Sequence, residues 1–192
     1  MKRVRAVIWV ALIVLMALSL FACSTTAIWQ RQGDDTQKID IDSEKTNGSE
    51  KYIVFAALDE DGALLASDST DTAAAYAVVG YTGLLAELVI PSTYQDTSIY
   101  ATALPVTRVL AAAPYSNYKC SRDGAAYSGD DARLANQTVV TSIVFGANVT
   151  FVGVGVCAGM VNLTTVYFEH GQAGVTATNA FLGISPTITY QS

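Results

Sequence analysis

Apolar residues are spread unevenly along this chain, and the longest charge-free stretch lies in its C-terminal half. No residue between Arg133 and Glu169 carries a charge, and residues 141–168 read TSIVFGANVTFVGVGVCAGMVNLTTVYF. Polar residues such as Asn148 and Asn162 interrupt this stretch too often for a membrane-spanning helix, which needs about 20 mainly apolar residues. Strict alternation also fails after a few residues, so a single half-exposed strand does not explain the pattern.

Self-similarity does explain it. Residues 141–145 (TSIVF) return as 164–168 (TTVYF) after 23 residues, and 156–159 (VCAG) return as 180–183 (AFLG) after 24. Residues 187–190 (TITY) begin a third strand copy 22 residues after the second. A period in the low twenties is typical of a leucine-rich repeat. Each unit supplies a short parallel strand, a turn and a return segment, and neighbouring units stack to bury a continuous core that excludes charge.

The N-terminal half of the chain has a different pattern, in which shorter apolar runs are separated by turn-forming residues. The runs are KYIVFAAL (51–58), ALLAS (63–67), YAVVGYTG (76–83) and AELVIP (86–91). DEDG (59–62) is a turn signal, and Pro91 ends the last run because proline lacks the amide that a central ladder needs. We therefore expect a small antiparallel β meander over residues 51–87.

Residues 115–138, YSNYKCSRDGAAYSGDDARLANQT, interrupt the repeats. Gly, Ser, Asp and Asn dominate this insertion, which predicts a long loop. It contains Tyr115, Tyr118 and Tyr127. Tyrosine is enriched at interfaces because it combines a large contact area with a polar tip. We expect the three tyrosines together to form a partner-binding surface, although any one of them alone is better explained as an ordinary residue of a β surface.

The N-terminus has the pattern of an export signal. Lys2, Arg3 and Arg5 precede an apolar run over 6–22, which stops at Cys23. LFAC (20–23) resembles the lipobox of bacterial lipoproteins, in which the cysteine is lipidated and the chain is cut just before it; Phe21 departs from the usual small or β-branched residue. The resemblance implies a signal peptide over 1–22 and lipidation of Cys23. An ordinary signal peptide and an uncleaved anchor helix are the alternatives, and all three export the remainder.

The segment that follows is polar and acidic, so residues 23–50 are predicted to be the lipidated cysteine and a flexible tether. After Cys23 the chain has seventeen acidic and eight basic residues, so the net charge of the exported part is near −9. This balance argues against nucleic acid as a partner, because phosphates favour a basic face. Cys120 and Cys157 could form a disulfide in an oxidising compartment. His170 is the single histidine, so a histidine-based metal site is excluded, and no catalytic motif accompanies it.

The repeats resemble those of BspA-type bacterial leucine-rich repeat surface proteins. The residues that carry the resemblance are LVIPSTY (88–94), LPVTRV (104–109), VTSIVFGANVTFVG (140–153), NLTTVYF (162–168) and NAFLG (179–183). The chain departs from the family where DTSIYATA (96–103) is inserted, where Ala112-Ala113-Pro114 replaces the expected AF pair, and where Cys157 replaces an aromatic residue. The resemblance implies a mainly β fold. A short solenoid of parallel strands with irregular or short helical return segments would occupy residues 88–192, and the meander would cap it.

The resemblance also implies adhesion or the binding of a protein or glycan, without catalysis, cofactor or metal. We therefore predict a lipid-anchored protein on the bacterial cell envelope or surface, attached to the membrane through its N-terminal lipid. The alternative is a structural or assembly component of the envelope that has no soluble ligand. A hydrolytic enzyme with an unrecognised site is the least supported interpretation. The oligomeric state is left open.

Overall fold

The computed structural model describes residues 47–97, 102–112, 114–129 and 132–191. All of them belong to one compact unit. The predicted signal peptide, Cys23 and the tether up to residue 46 lie outside the described residues. In the part that is described, the chain has strands and three 3-10 turns but no α-helix, and no helix that is long and apolar enough to cross a membrane.

Eleven strands are found in the described ranges. They are β1 (Ile53–Leu58), β2 (Ala75–Tyr81), β3 (Glu87–Ile90), β4 (Thr93–Tyr94), β5 (Leu104–Val109), β6 (Cys120–Arg122), β7 (Ala125–Ala126), β8 (Ser142–Phe145), β9 (Phe151–Val152), β10 (Thr165–Phe168) and β11 (Thr187–Tyr190). The 3-10 turns are Ser49–Tyr52, Tyr115–Asn117 and Gln172–Gly174.

Four of these strands form an all-parallel sheet in the order β11-β10-β8-β3, which we call the ladder. Its strands pair without a register shift, so equivalent residues of successive units form straight rows. The rows are Glu87/Ser142/Thr165/Thr187, Leu88/Ile143/Val166/Ile188, Val89/Val144/Tyr167/Thr189 and Ile90/Phe145/Phe168/Tyr190. The predicted fold class, a mainly β protein with a leucine-rich-repeat-like stack of parallel strands, is confirmed.

In β3, β8 and β10 the second and fourth rows of the ladder point into the core, whereas Ile188 at the β11 end of the second row is exposed. In the fourth row the Phe145 and Phe168 rings stack with centroids 4.6 Å apart, and Phe168 stacks on Tyr190 at 5.1 Å. Residues from the turns and return segments, such as Cys157 and Met160, are fully buried in the same cluster. Charge is absent from the stretch because strand, turn and return segment all contribute to one core.

The turns of successive units also match at the predicted interval of 24 residues. Gly155 and Asn179 both have left-handed backbones (φ 67° and 59°), as do Gly159 and Gly183 (φ 70° and 78°). The Gly155 amide donates to the Asn179 carbonyl at 2.8 Å. The Asn162 side chain donates to the Thr138 carbonyl at 2.6 Å, so asparagine also stabilises the turns through its side chain.

A second sheet joins the repeats to the predicted meander. β5 pairs in parallel with β9 on one side and with β2 on the other, and β2 pairs antiparallel with β1. The sheet is therefore mixed, with the order β4-β5-β2-β1-β6-β7 and β9 branching from β5. One apolar cluster includes residues from both sheets, among them Phe55 of β1 and Phe145 of β8. The cap and the repeats thus share a sheet and a core.

Three predictions about local structure need correction: one strand, the conformation of the insertion and the end of the tether. ALLAS (63–67) is not a strand, because it contributes only isolated bridges at Leu64 and Ala66. The 115–138 insertion is not a loop throughout. Residues 120–126 form the β6–β7 hairpin around Asp123-Gly124, and an Asp-Gly pair is a strong hairpin signal. The predicted tether also ends earlier, since Asn47–Glu50 are packed onto the fold and Ser49 is fully buried.

The residues 47–52 protect the β3 edge of the ladder. The Asn47 side-chain amide donates to the Glu87 carbonyl at 2.9 Å, and the Ser49 hydroxyl accepts from the Val89 amide at 3.2 Å. The opposite edge is β11, where Ile188 is 39% exposed and, within the described residues, no strand pairs on the outer side. One edge of the ladder is therefore covered by side chains, whereas the other presents its backbone.

Candidate functional site

A cavity of about 330 Å³ opens at the mixed sheet, and most of its wall comes from the insertion. Seven of the eleven lining residues lie within 115–138. The full lining is Ala57, Ser67, Tyr76, Asp96, Ser116, Tyr118, Lys119, Cys120, Ala126, Tyr127 and Ser128. This volume is at the small end of the range of about 300–1,000 Å³ that is usual for ligand sites. The insertion therefore forms much of a concave surface and does not simply project into solvent.

Buried aromatic rings support one side of the cavity. The Tyr94 ring stacks on Phe55 with centroids 3.7 Å apart, and Tyr76, which lines the cavity, meets Tyr94 edge-on at 5.0 Å. The Tyr94 hydroxyl accepts a hydrogen bond from the Gly124 amide at 3.0 Å. This bond fastens the turn of the β6–β7 hairpin to the aromatic group, so the hairpin and the cavity wall are held by the core of the protein.

The structure separates the three predicted surface tyrosines. Tyr115 is only 3% exposed, and its hydroxyl donates to the Val79 carbonyl at 3.3 Å, so the prediction that it presents a contact surface is wrong. A large ring beside the apolar residues of β2 is more stable buried than in water. Tyr118 and Tyr127 are half-buried and line the cavity. They remain candidates for contact with a partner.

Tyr127 is held between two neighbours. The Arg122 guanidinium carbon lies 4.8 Å from the centroid of its ring, a cation–π contact. The Tyr115 ring meets it edge-on with centroids 5.8 Å apart. Tyr115 therefore acts indirectly, by fixing the orientation of a ring that lines the cavity.

Two side chains of opposite charge also line the cavity. Asp96 is 2% exposed, and it is the only charged residue among the buried side chains of the described chain. Lys119 is half-buried, and its ammonium donates to the Asp71 carbonyl at 3.1 Å. The cavity thus has an acidic and a basic residue in a lining that also includes three tyrosines.

The two cysteines do not pair. Cys120 and Cys157 are free thiols that lie in separate apolar clusters, so the disulfide considered from the sequence is not formed. Burial raises the pKa of each thiol to about 12. Both thiols are protonated at neutral pH, and Cys120 therefore contributes an apolar wall to the cavity rather than a nucleophile.

Sequence reasoning identified Tyr118 and Tyr127 but missed Tyr76 and Asp96. The apolar run around Tyr76 predicts a strand and gives no indication of a site. Asp96 is the first residue of DTSIYATA (96–103), which departs from the repeat pattern, and that departure is the signal that could have found it. Across the described residues, no cluster of three His, Cys, Asp or Glu side chains could hold a metal ion.

Comparison with protein-family models gives no match, and comparison with curated proteins likewise gives none. The chain is similar to a leucine-rich cell surface protein from Faecalibacterium prausnitzii of known crystal structure, with 17% sequence identity and a TM-score of 0.39. The likeness covers 77% of this chain and 29% of that chain, so this chain spans less than a third of the other protein's length.

Proposed function

We propose that this protein is a non-catalytic binding module of the bacterial cell surface, which recognises a protein or glycan partner through the cavity built by the insertion. The observation that carries the proposal is the origin of the cavity wall, since seven of eleven lining residues come from the one segment that interrupts the repeats. Segments that depart from a repeat scaffold are common locations of function because the scaffold already supplies the stability.

The composition of the wall supports binding. Half-buried tyrosines offer a large contact area and lose little conformational entropy when they are covered by a partner. Tyr127 is already fixed by Arg122 and Tyr115, so binding would not need to order its ring. Preorganisation of this kind reduces the entropic cost of association.

The test compares point variants of the full chain, because deletion of the insertion would remove the core residues Tyr115 and Leu134. Wild type and a Tyr118→Ala/Tyr127→Ala double variant are measured against a glycan array and a panel of extracellular matrix proteins. We expect saturable binding that the double variant weakens about tenfold, which corresponds to about 1.4 kcal/mol. Tyr52→Ala is the control, because Tyr52 is 44% exposed and does not line the cavity.

Two results would contradict this proposal. Binding that is equal in the wild type and the double variant would place the contact surface elsewhere. Absence of saturable binding to every glycan and matrix protein would remove the support for a binding module.

We infer that the module is held at the membrane by lipid on Cys23. The support is the sequence alone, namely the basic start, the apolar run and the LFAC motif. The Cys23→Ser variant should appear in the soluble fraction, whereas the wild type should partition with membranes and carry acyl chains detectable by mass spectrometry. Continued membrane association of Cys23→Ser would favour the uncleaved anchor instead.

A second candidate, a subunit of an envelope assembly, is favoured by one observation. The outer edge of β11 presents backbone groups and the exposed Ile188, and such edges readily pair with another strand. Ile188→Lys would place a charge there and should abolish any concentration-dependent association seen by analytical ultracentrifugation. If the wild type remains monomeric over the accessible concentration range, self-assembly through this edge is excluded.

A further inference from the structure

The lining of the cavity combines flat apolar surfaces with a donor and an acceptor of opposite charge. Tyr118 and Tyr127 supply the surfaces, Asp96 supplies a buried carboxylate, and Lys119 supplies an ammonium. Ser67, Ser116 and Ser128 also line the cavity. We propose that the cavity binds a single pyranose unit of an uncharged glycan, an inference that rests on the proposed binding function and specifies its ligand.

The charges argue for a neutral ligand. The lining contains one acidic and one basic residue, Asp96 and Lys119, so its net charge favours neither a cationic nor an anionic ligand. A sugar hydroxyl both donates and accepts, so a neutral ring can pair with a residue of either charge. Hydrogen bonds to charged groups are stronger than those between neutral groups. Such bonds would orient a ring that the apolar contacts alone would hold in no defined direction.

The donor and acceptor capacities are sufficient for this arrangement. A carboxylate has about four lone-pair sites, so Asp96 can accept from a ligand together with partners in the fold. An ammonium has three N–H donors, and the Asp71 carbonyl takes one of those of Lys119. Lys119 therefore retains N–H donors that a ring hydroxyl can accept from.

The aromatic residues and the volume argue for one sugar ring. A pyranose has an apolar face of C–H groups that packs flat on an aromatic ring. Tyr127 offers such a ring in a fixed orientation, because Arg122 and Tyr115 hold it in place. The cavity of about 330 Å³ is at the small end for ligand sites, which suits a single ring rather than a longer oligosaccharide.

The experiment uses the full chain in detergent with methyl glycosides of glucose, galactose, mannose and N-acetylglucosamine, observed by saturation-transfer-difference NMR. At least one glycoside should show saturable transfer with millimolar affinity. Asp96→Asn should weaken it about tenfold by replacing a charged acceptor with a neutral one of the same size. Tyr118→Ala should weaken it to a similar degree, whereas Tyr118→Phe, which keeps the ring, should preserve most of the affinity. Tyr52→Ala serves as the control.

Thermal unfolding of each variant is measured in parallel, and if Asp96→Asn does not fold, the Tyr118 pair decides the question. Absence of transfer to any glycoside, equal affinities of wild type and Tyr118→Ala, or saturable binding of choline instead of the sugars would each overturn the inference. A protein partner found in the matrix panel together with no glycoside binding would retain the proposed function and reject only the sugar site.

Discussion

The ladder and the mixed sheet bury apolar surface in different ways. In the ladder, each row repeats one class of side chain through successive units, as in the Phe145/Phe168/Tyr190 stack. In the mixed sheet, parallel and antiparallel strands meet and no contact recurs from unit to unit; the stacked pair of Phe55 and Tyr94 belongs to no repeated row. The recurring rows of the ladder favour stability, whereas the non-recurring contacts of the mixed sheet leave room for a cavity.

This comparison predicts that core truncation is most damaging in the ladder. Phe145 is fully buried and its ring stacks on Phe168, so Phe145→Ala should lower the free energy of unfolding by about 3–5 kcal/mol. Tyr127→Ala in the insertion should cost only about 1 kcal/mol, because its ring is half-buried. Urea unfolding measures both. Equal losses would mean that the insertion contributes as much to stability as the ladder.

The contact between the N-terminal 3-10 turn and β3 should be the next most sensitive. Ser49→Ala removes the acceptor of the Val89 amide, which is buried, and an unsatisfied buried donor costs about 1–3 kcal/mol. Ser142→Ala, in the same row as Glu87, is the control and should change stability by less than about 0.5 kcal/mol. A neutral Ser49→Ala would show that the β3 edge does not need its cover.

The same contrast explains which parts of the fold could be predicted. Rows that recur leave a period in the sequence, so the similarity of TSIVF, TTVYF and TITY predicted strands β8, β10 and β11 and their parallel stacking. The parallel pairing of β2 with β5 left no such trace, because it occurs once and joins residues that do not resemble each other. For the same reason Tyr76, which reaches the cavity from β2, could not be assigned to a site, whereas the break in the repeat pattern at DTSIYATA was the one signal for Asp96.

Two glycines illustrate the difference between a position that recurs in successive repeat units and a position that does not. Gly183 recurs with Gly159 and has φ +78° with open space around it, so Gly183→Ala should cost about 1–2 kcal/mol through backbone strain alone. Gly146 has no such counterpart, and a Cβ there would lie 2.5 Å from the Ser92 nitrogen and 2.7 Å from the Pro91 carbonyl carbon. Its substitution should cost about 1–3 kcal/mol through overpacking.

Asparagine distinguishes the two causes, since it tolerates a left-handed backbone better than alanine does. Gly183→Asn should recover most of the stability that Gly183→Ala loses, whereas Gly146→Asn should be at least as damaging as Gly146→Ala. Thermal unfolding monitored by circular dichroism measures all four variants. Recovery at Gly146 would indicate that backbone conformation, and not the close approach of Pro91 and Ser92, requires glycine there.

The smallest effect should come from the contact between the N-terminal turn and the hairpin. Burial raises the pKa of Glu50 above its ordinary value of 4.5, and the Asp123 carboxylate at the hairpin turn raises it further. The folded state then binds a proton more tightly than the unfolded state, so this residue adds stability as the pH falls from neutral towards 4.5. Glu169, whose pKa is also raised by burial, contributes in the same direction.

Glu50→Gln should therefore flatten part of the rise in stability between neutral pH and pH 4.5, as measured by urea unfolding at several pH values. Asp123→Asn should remove only a fraction of that rise, because burial is the larger cause and asparagine is compatible with the left-handed backbone at this position (φ 52°). Stability curves of Glu50→Gln and wild type that run parallel over this range would show that the carboxyl is as well solvated in the folded protein as in the unfolded chain. In that case the Glu50 carboxyl is not buried beside the hairpin turn in solution, and the hairpin is held by the β1–β6 pairing and the Tyr94–Gly124 hydrogen bond.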